Sequence, residues 1–161
     1  MGAALDVASK YAVFAWLGGK IVPEYSLIDG FLQLIVRENT GAAFSIMAGK
    51  RWLFIAISLI ALVVVNGLFV RGKLCPRLMV AAMACLNAGI LGNLYDRLFN
   101  DGRVRDFIDV YVGDYHWPTF NVADSLLCIG VGLLIVLSFL SPKHSTPVPP
   151  VGDGQNTASG K

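Results

Sequence analysis

The sequence predicts an all-α membrane protein, a bundle of four transmembrane helices with a small β-rich element on one side. Three observations carry that class. Hydrophobic residues make up 55% of the 161-residue chain and charged ones only 15%, against roughly a quarter charged in soluble domains. The mean hydropathy is +0.63. Several apolar runs reach bilayer-crossing length, and the polar residues that interrupt them gather toward one end of the expected bundle.

The first span is the shortest. "AALDVASKYAVFAWL", residues 3–17, carries Asp6 and Lys10. A polar stretch follows in which "GFLQLIVREN" shows β-type residues and partial alternation, the pattern of a short strand. Trp52–Val70 and Val122–Leu140 are plain apolar runs of 19 residues each. At 1.5 Å per residue each reaches ~28 Å, about the hydrocarbon thickness. Between them lies a third span, residues 78–95, interrupted by Asn87 and Asn93. Residues 98–120 are polar, and "VRDFIDVYV" there reads as a second strand. Helices are the natural spanning element because lipid offers no partner to backbone amides.

Four spans put the two strand segments on one side, where a small sheet can form. The other side has the short loop "VRGKLCPR", with three basic residues in eight. That density marks it as cytoplasmic, and both termini follow it there. The strands, the Asn93–Arg97 end of the third span and the Asp124 end of the fourth then face outward. Residues 1–141 form one membrane-embedded domain. Residues 142–161 are rich in Pro, Gly, Ser and Thr and read as a disordered cytoplasmic tail.

Other classes are poorly supported. A formal charge of +2, scattered along the chain, gives no nucleic-acid footprint. Cys75, Cys85 and Cys128 are an odd set without metal-ligand spacing and read as reduced, structural thiols. The N-terminus lacks the basic region and clean apolar core of a cleavable signal peptide. "GxSxG", "HExxH" and glycine-rich phosphate loops are absent, and the histidines, His116 and His144, sit in a loop and the tail. The sequence calls for neither a metal nor a cofactor.

Polar residues at membrane depth are costly and usually face the bundle interior or a cavity. The candidates are Asp6, Lys10, Asn39, Asn93, Asp96, Arg97, Asp106, Asn121 and Asp124. Each has a plain structural explanation. Asp6 and Lys10 are spaced as a helix-face ion pair. Asp96 and Arg97 could anchor a helix end. Asn121 fits an N-cap on the amide of Ala123 or Asp124, and Asp124 suits the positive end of its helix. Taken together, several carboxylates and amides at one end of a small bundle look like a site.

Two carboxylates sharing a proton can hydrolyse an amide. One takes a proton from water while the other polarises the carbonyl and then protonates the leaving nitrogen. Asp124 is one member. Spacing leaves its partner open among Asp96, Asp101, Asp106, Asp109 and Asp114.

The motifs "LDVASK" (5–10), "NTGAAFS" (39–45), "AGILGNLYDRL" (88–98), "VRDFID" (104–109) and "FNVADS" (120–125) stand in an order that resembles the lipoprotein signal peptidases, or signal peptidase II. The resemblance covers residues 5 to about 140. It implies a bacterial aspartic peptidase of the cytoplasmic membrane with four transmembrane helices and a small extracytoplasmic β-rich cradle. Its substrates would be prolipoproteins whose cysteine carries a diacylglyceryl group, cut just before that cysteine, and its other partner the membrane lipid. A monomer is expected. By resemblance, the catalytic aspartates are Asp106 and Asp124, and Asn39, Gly41, Asn93, Arg97 and Asn121 line the substrate pocket. Asp6, Lys10 and Asp96 hold the helices and loops in register.

Two features depart from the family pattern. Val7 stands where Gln is usual, and fewer apolar residues precede Asp6. Either the true start lies upstream or the first helix is truncated. Two rivals belong to other classes. A transporter or proton channel relaying through Asp96 and Asp124 would need ionisable residues through several spans, which 52–70 and 126–140 lack. A binding-only assembly factor would not need both aspartates.

Overall fold

A computed structural model of the chain describes residues 1–41, 48–71 and 77–140. The expected tail, Cys75, most of the basic loop and the "AAFS" end of the second motif lie outside the described residues. Four helices and four strands follow in the order α1 (Gly2–Leu17), β1 (Glu24–Ile28), β2 (Leu32–Asn39), α2 (Arg51–Arg71), α3 (Arg77–Phe99), β3 (Val104–Val112), β4 (Tyr115–His116) and α4 (Val122–Leu140).

Among the described residues, three helices are long and apolar enough to cross a membrane: α2, α3 and α4. At 16 residues, α1 reaches only ~24 Å. The reading of an all-α protein needs correcting, because a four-stranded antiparallel sheet in the order β1-β2-β3-β4 sits at one end of the helices. The two segments read as strands pair directly, as β2 and β3. β1 and β4 extend them on either side.

α3 also runs four residues past the expected Tyr95. A turn then reverses the chain into β3. The Arg103 amide donates to the Asn100 carbonyl at 2.8 Å, and Asp101 and Gly102 both have positive φ. Asp-Gly is the pair that favours this double left-handed geometry. A side chain at Gly102 would also meet the Arg51 stem at 2.8 Å.

The helices pack most closely along α3 and α4, and glycine permits it. A Cβ at Gly89 would fall 2.6 Å from the Ala123 carbonyl oxygen, and one at Gly130 would fall 2.7 Å from Leu86 Cγ. Small residues at such contacts let backbones approach where lipid gives no hydrophobic drive. Among the described residues α2 is held to α3 by polar bridges at two levels, Asn66 Nδ2 donating to Asn87 Oδ1 at 2.8 Å and Arg51 Nη2 to the Leu98 carbonyl at 2.8 Å. Its other residues are largely exposed and apolar, as with Val63 and Val70, which suits contact with lipid. Cys85 and Cys128 are free thiols.

Candidate functional site

The site forms where β3, the middle of α1, the end of α3 and the start of α4 meet. The first layer is a closed charge network. Lys10 Nζ lies 2.7 Å from Asp6 Oδ2 and 3.4 Å from Asp96 Oδ2, and it donates to Asn93 Oδ1 at 3.0 Å. Lys10, Asp6 and Asp96 are all 0% exposed. Burying charges is tolerable only when they are paired.

Each acid then grips a second element. Asp6 Oδ1 accepts the Ala123 amide at 2.7 Å, capping the first turn of α4 from another helix. Asp96 accepts both the backbone amide of Arg105 at 2.9 Å and its guanidinium at 2.7 Å. The Arg105 guanidinium also lies 4.5 Å from the Tyr11 ring centre, tying β3 to α1. The residues so gripped, Ala123 and Arg105, directly precede Asp124 and Asp106. Asp6 requires a bare backbone opposite, because a side chain at Gly92 would collide with its carboxylate.

The second layer is the pair itself, with one amide donor on each carboxylate oxygen. Asp106 accepts Asn121 Nδ2 at 2.7 Å and Asn39 Nδ2 at 3.1 Å. Asp124 accepts Asn93 Nδ2 at 2.8 Å and the Asn121 amide at 3.3 Å. The Asp124 amide in turn donates to Asn121 Oδ1 at 3.0 Å, so Asn121 and Asp124 form a reciprocal cap of the capping-box kind. Asn121 therefore touches both carboxylates.

Asp106 is 2% exposed. Burial, and after it the charge of Asp124, push its carboxyl up to about 7 against the opposing hydrogen bonds from Asn39 and Asn121.

Both aspartates line a cleft of about 630 Å³. Asn39, Gly41, Asn93 and Arg97 line it too. Arg97 donates to the Gly41 carbonyl at 3.4 Å and lies over the Phe54 ring at 4.9 Å. Asn121 departs from expectation. It is 0% exposed, so it is a buried strut behind the pair and not part of the lining. Of the five partners left open for Asp124, Asp106 shares its cleft. Asp96 is locked in the network, Asp109 pairs with His116 at 2.8 Å, and Asp101 and Asp114 sit exposed in turns.

Sequence reasoning missed the segment from Trp117 to Phe120, which forms one wall. The Phe107 and Ile108 amides both donate to the Phe120 carbonyl, at 3.0 and 2.8 Å, and this pins the segment beside β3. Only the bulky "WP" pair hinted at a fixed turn. Val7, the departure from the family pattern, faces a separate apolar groove with Leu91 and Phe99. Among the described residues no group of His, Cys, Asp or Glu side chains could hold a metal ion.

Comparison with known proteins agrees with the resemblance. A family model described as Signal peptidase (SPase) II matches residues 1–140. A lipoprotein signal peptidase of Photorhabdus laumondii is 47% identical over 146 residues, covering 88% of this chain and 85% of its own. Another, from Yersinia pestis, is 41% identical over 148 residues, covering 89% and 85%. A bacterial membrane enzyme solved by the in meso method at 2.3 Å superposes with a TM-score of 0.78 at 36% identity, covering 91% of this chain and 89% of that one. A second, at 1.9 Å, gives 0.74 at 34% identity, covering 88% and 89%. The chain belongs to the signal peptidase II family, membrane proteases that process lipoproteins by cleaving their signal peptides.

Proposed function

We propose that this chain is an aspartic endopeptidase that cuts diacylglyceryl-modified prolipoproteins just before the lipidated cysteine, with Asp106 and Asp124 as its catalytic pair. The observation that carries the reading is the pair itself. Two carboxylates face one cleft, joined through Asn121, and the buried one is pushed up to about 7.

Asp106 is the member with the raised carboxyl, and the titration belongs to the two together. Asp124 takes a proton from a water molecule as its oxygen attacks the scissile carbonyl. Asp106 donates a hydrogen bond to the carbonyl oxygen and then gives up its proton to the leaving nitrogen. The amides of Asn39, Asn93 and Asn121 hold each carboxylate in place. Arg97 steadies the wall at Gly41.

The substrate is already in the bilayer. Its signal helix and acyl chains enter sideways, along apolar surface such as Leu127 and Ile129 on α4. The four helices run as an antiparallel bundle in the bacterial cytoplasmic membrane, with α1 at its thinner edge. The sheet and the pair face the extracytoplasmic side and both termini the cytoplasm, as the basic residues Arg71, Lys73 and Arg77 favour. A single chain carries the whole site, so the working unit is a monomer.

The test is a gel-shift cleavage assay in detergent, using one prolipoprotein with and without its diacylglyceryl group. Wild type cuts only the lipidated form. Asp124→Asn and Asp106→Asn each lose on the order of 10³-fold or more in kcat. Turnover retained in both variants would sink the dyad.

A further inference from the structure

The cleft does not end at Asp106. It continues into a second hollow of about 260 Å³, and the two share Asn39, Asp106 and the Trp117–Thr119 wall. Together they make one trough with Asp106 where the arms join. The arm along α4 is lined by Leu127, Cys128 and Ile129. The arm over the sheet is lined by Arg37, Glu38 and His116.

Two of those three polar side chains are already matched. Glu38 pairs with Arg103 at 2.7 Å, and His116 Nδ1 with Asp109 at 2.8 Å. The Arg37 guanidinium is exposed and makes no hydrogen bond or ion pair with any described residue. The fold nevertheless places it with care. β2 carries an irregularity between Leu34 and Arg37, after which Arg37 stands opposite Asp106. Opposed residues of an antiparallel pair leave the sheet on the same face, and a one-residue bulge selects which residue that is. At the join, Thr119 Oγ1 is buried without a hydrogen-bond partner.

We propose that the polar arm is a subsite for the substrate on the C-terminal side of the cleaved bond, where Arg37 favours a carboxylate side chain within the first three residues after the modified cysteine. The inference rests on the peptidase reading above. The signal helix and the acyl chains are apolar and take the arm along α4. The remaining part of the substrate is the hydrated chain leaving the membrane, and it takes the arm lined with charge. The planar guanidinium of Arg37 offers paired donors to a carboxylate.

The experiment uses the full chain in detergent and diacylglyceryl-cysteine peptides that differ only in carrying Asp, Asn or Lys at one of those three positions. The Asp peptide exceeds the Lys peptide by about three- to fivefold in kcat/KM, the size of an exposed ion pair. The effect lies in KM and shrinks in about 0.5 M salt. Arg37→Glu reverses the order and Arg37→Gln levels it. Each comparison is a ratio within one preparation, so a change in folded fraction cancels. Equal kcat/KM for all peptides in wild type, or a preference that survives both substitutions, overturns the subsite and leaves the peptidase reading standing. Failure of wild type to cut any of them overturns both.

Discussion

Two sets of carboxylates lie within one small region and are treated in opposite ways. Asp6 and Asp96 are fully buried and paired with Lys10, and Asp96 also with Arg105. Asp106 and Asp124 receive only amide donors, and among the described residues neither has a cation within ion-pair distance. A buried carboxylate gripped by a cation is held in place as that cation's structural partner. Amide donors hold its position while leaving its proton free to come and go. The first set is therefore a frame and the second a reagent, although the residue type is the same.

The sharpest way to break that contrast is to exchange the expected phenotypes. Asp124→Asn loses on the order of 10³-fold in turnover but keeps its fold at the cost of one accepted hydrogen bond, because its backbone amide still donates to Asn121 Oδ1 and neither layer loses a charge partner. Lys10→Met does the reverse. It leaves Asp6 as an uncompensated buried charge and Asp96 with Arg105 alone, and costs about 3–5 kcal/mol of stability, read as a large drop in the thermal midpoint in detergent. A Lys10→Met protein as stable as wild type would mean that the network is not the frame.

A smaller test probes the fit between the layers. Gly92→Ala pushes a methyl group into the Asp6 carboxylate and toward Ala123 Cβ, 3.1 Å away. The expected cost is about 1–3 kcal/mol. Because Asp6 caps the turn that carries Asp124, the surviving folded enzyme also loses turnover. A normal kcat with normal stability would show that α3 and α4 can part there without disturbing the pair.

How much of this was legible in the sequence depended on whether a residue's partner was local. The cap between Asn121 and Asp124 is three residues long, and it was read as a cap. The bond from Asn121 to Asp106 joins residues fifteen apart on different elements, so its burial behind the pair was not visible. The third span was ended at Tyr95 because charge follows. Yet Asp96 stays in the helix, since Lys10 and Arg105, from two other elements, satisfy it. β1 went unread because all five of its residues are exposed, which leaves no buried face to impose alternation. The motif order pointed to these residues, while the division into frame and reagent depends on contacts between residues far apart in the chain.

The titration of Asp106 is the most diagnostic mark of a reagent held ready. The Asp106 carboxyl is raised from the ordinary 3.8 to about 7. Between those values the folded protein keeps a proton that the unfolded chain has released. Stability from this group is therefore present below about pH 4, falls as the pH rises, and is flat again above about 7. Asp106→Asn removes the titration. The asparagine cannot accept from both Asn39 and Asn121, so the variant starts less stable than wild type at low pH. Its deficit then narrows steadily up to neutrality. Thermal midpoints of the two proteins, measured in detergent across pH 4 to 8, give the difference directly. A difference independent of pH would mean that Asp106 titrates as an ordinary carboxylate, and the contrast between the two sets would lose its chemical basis.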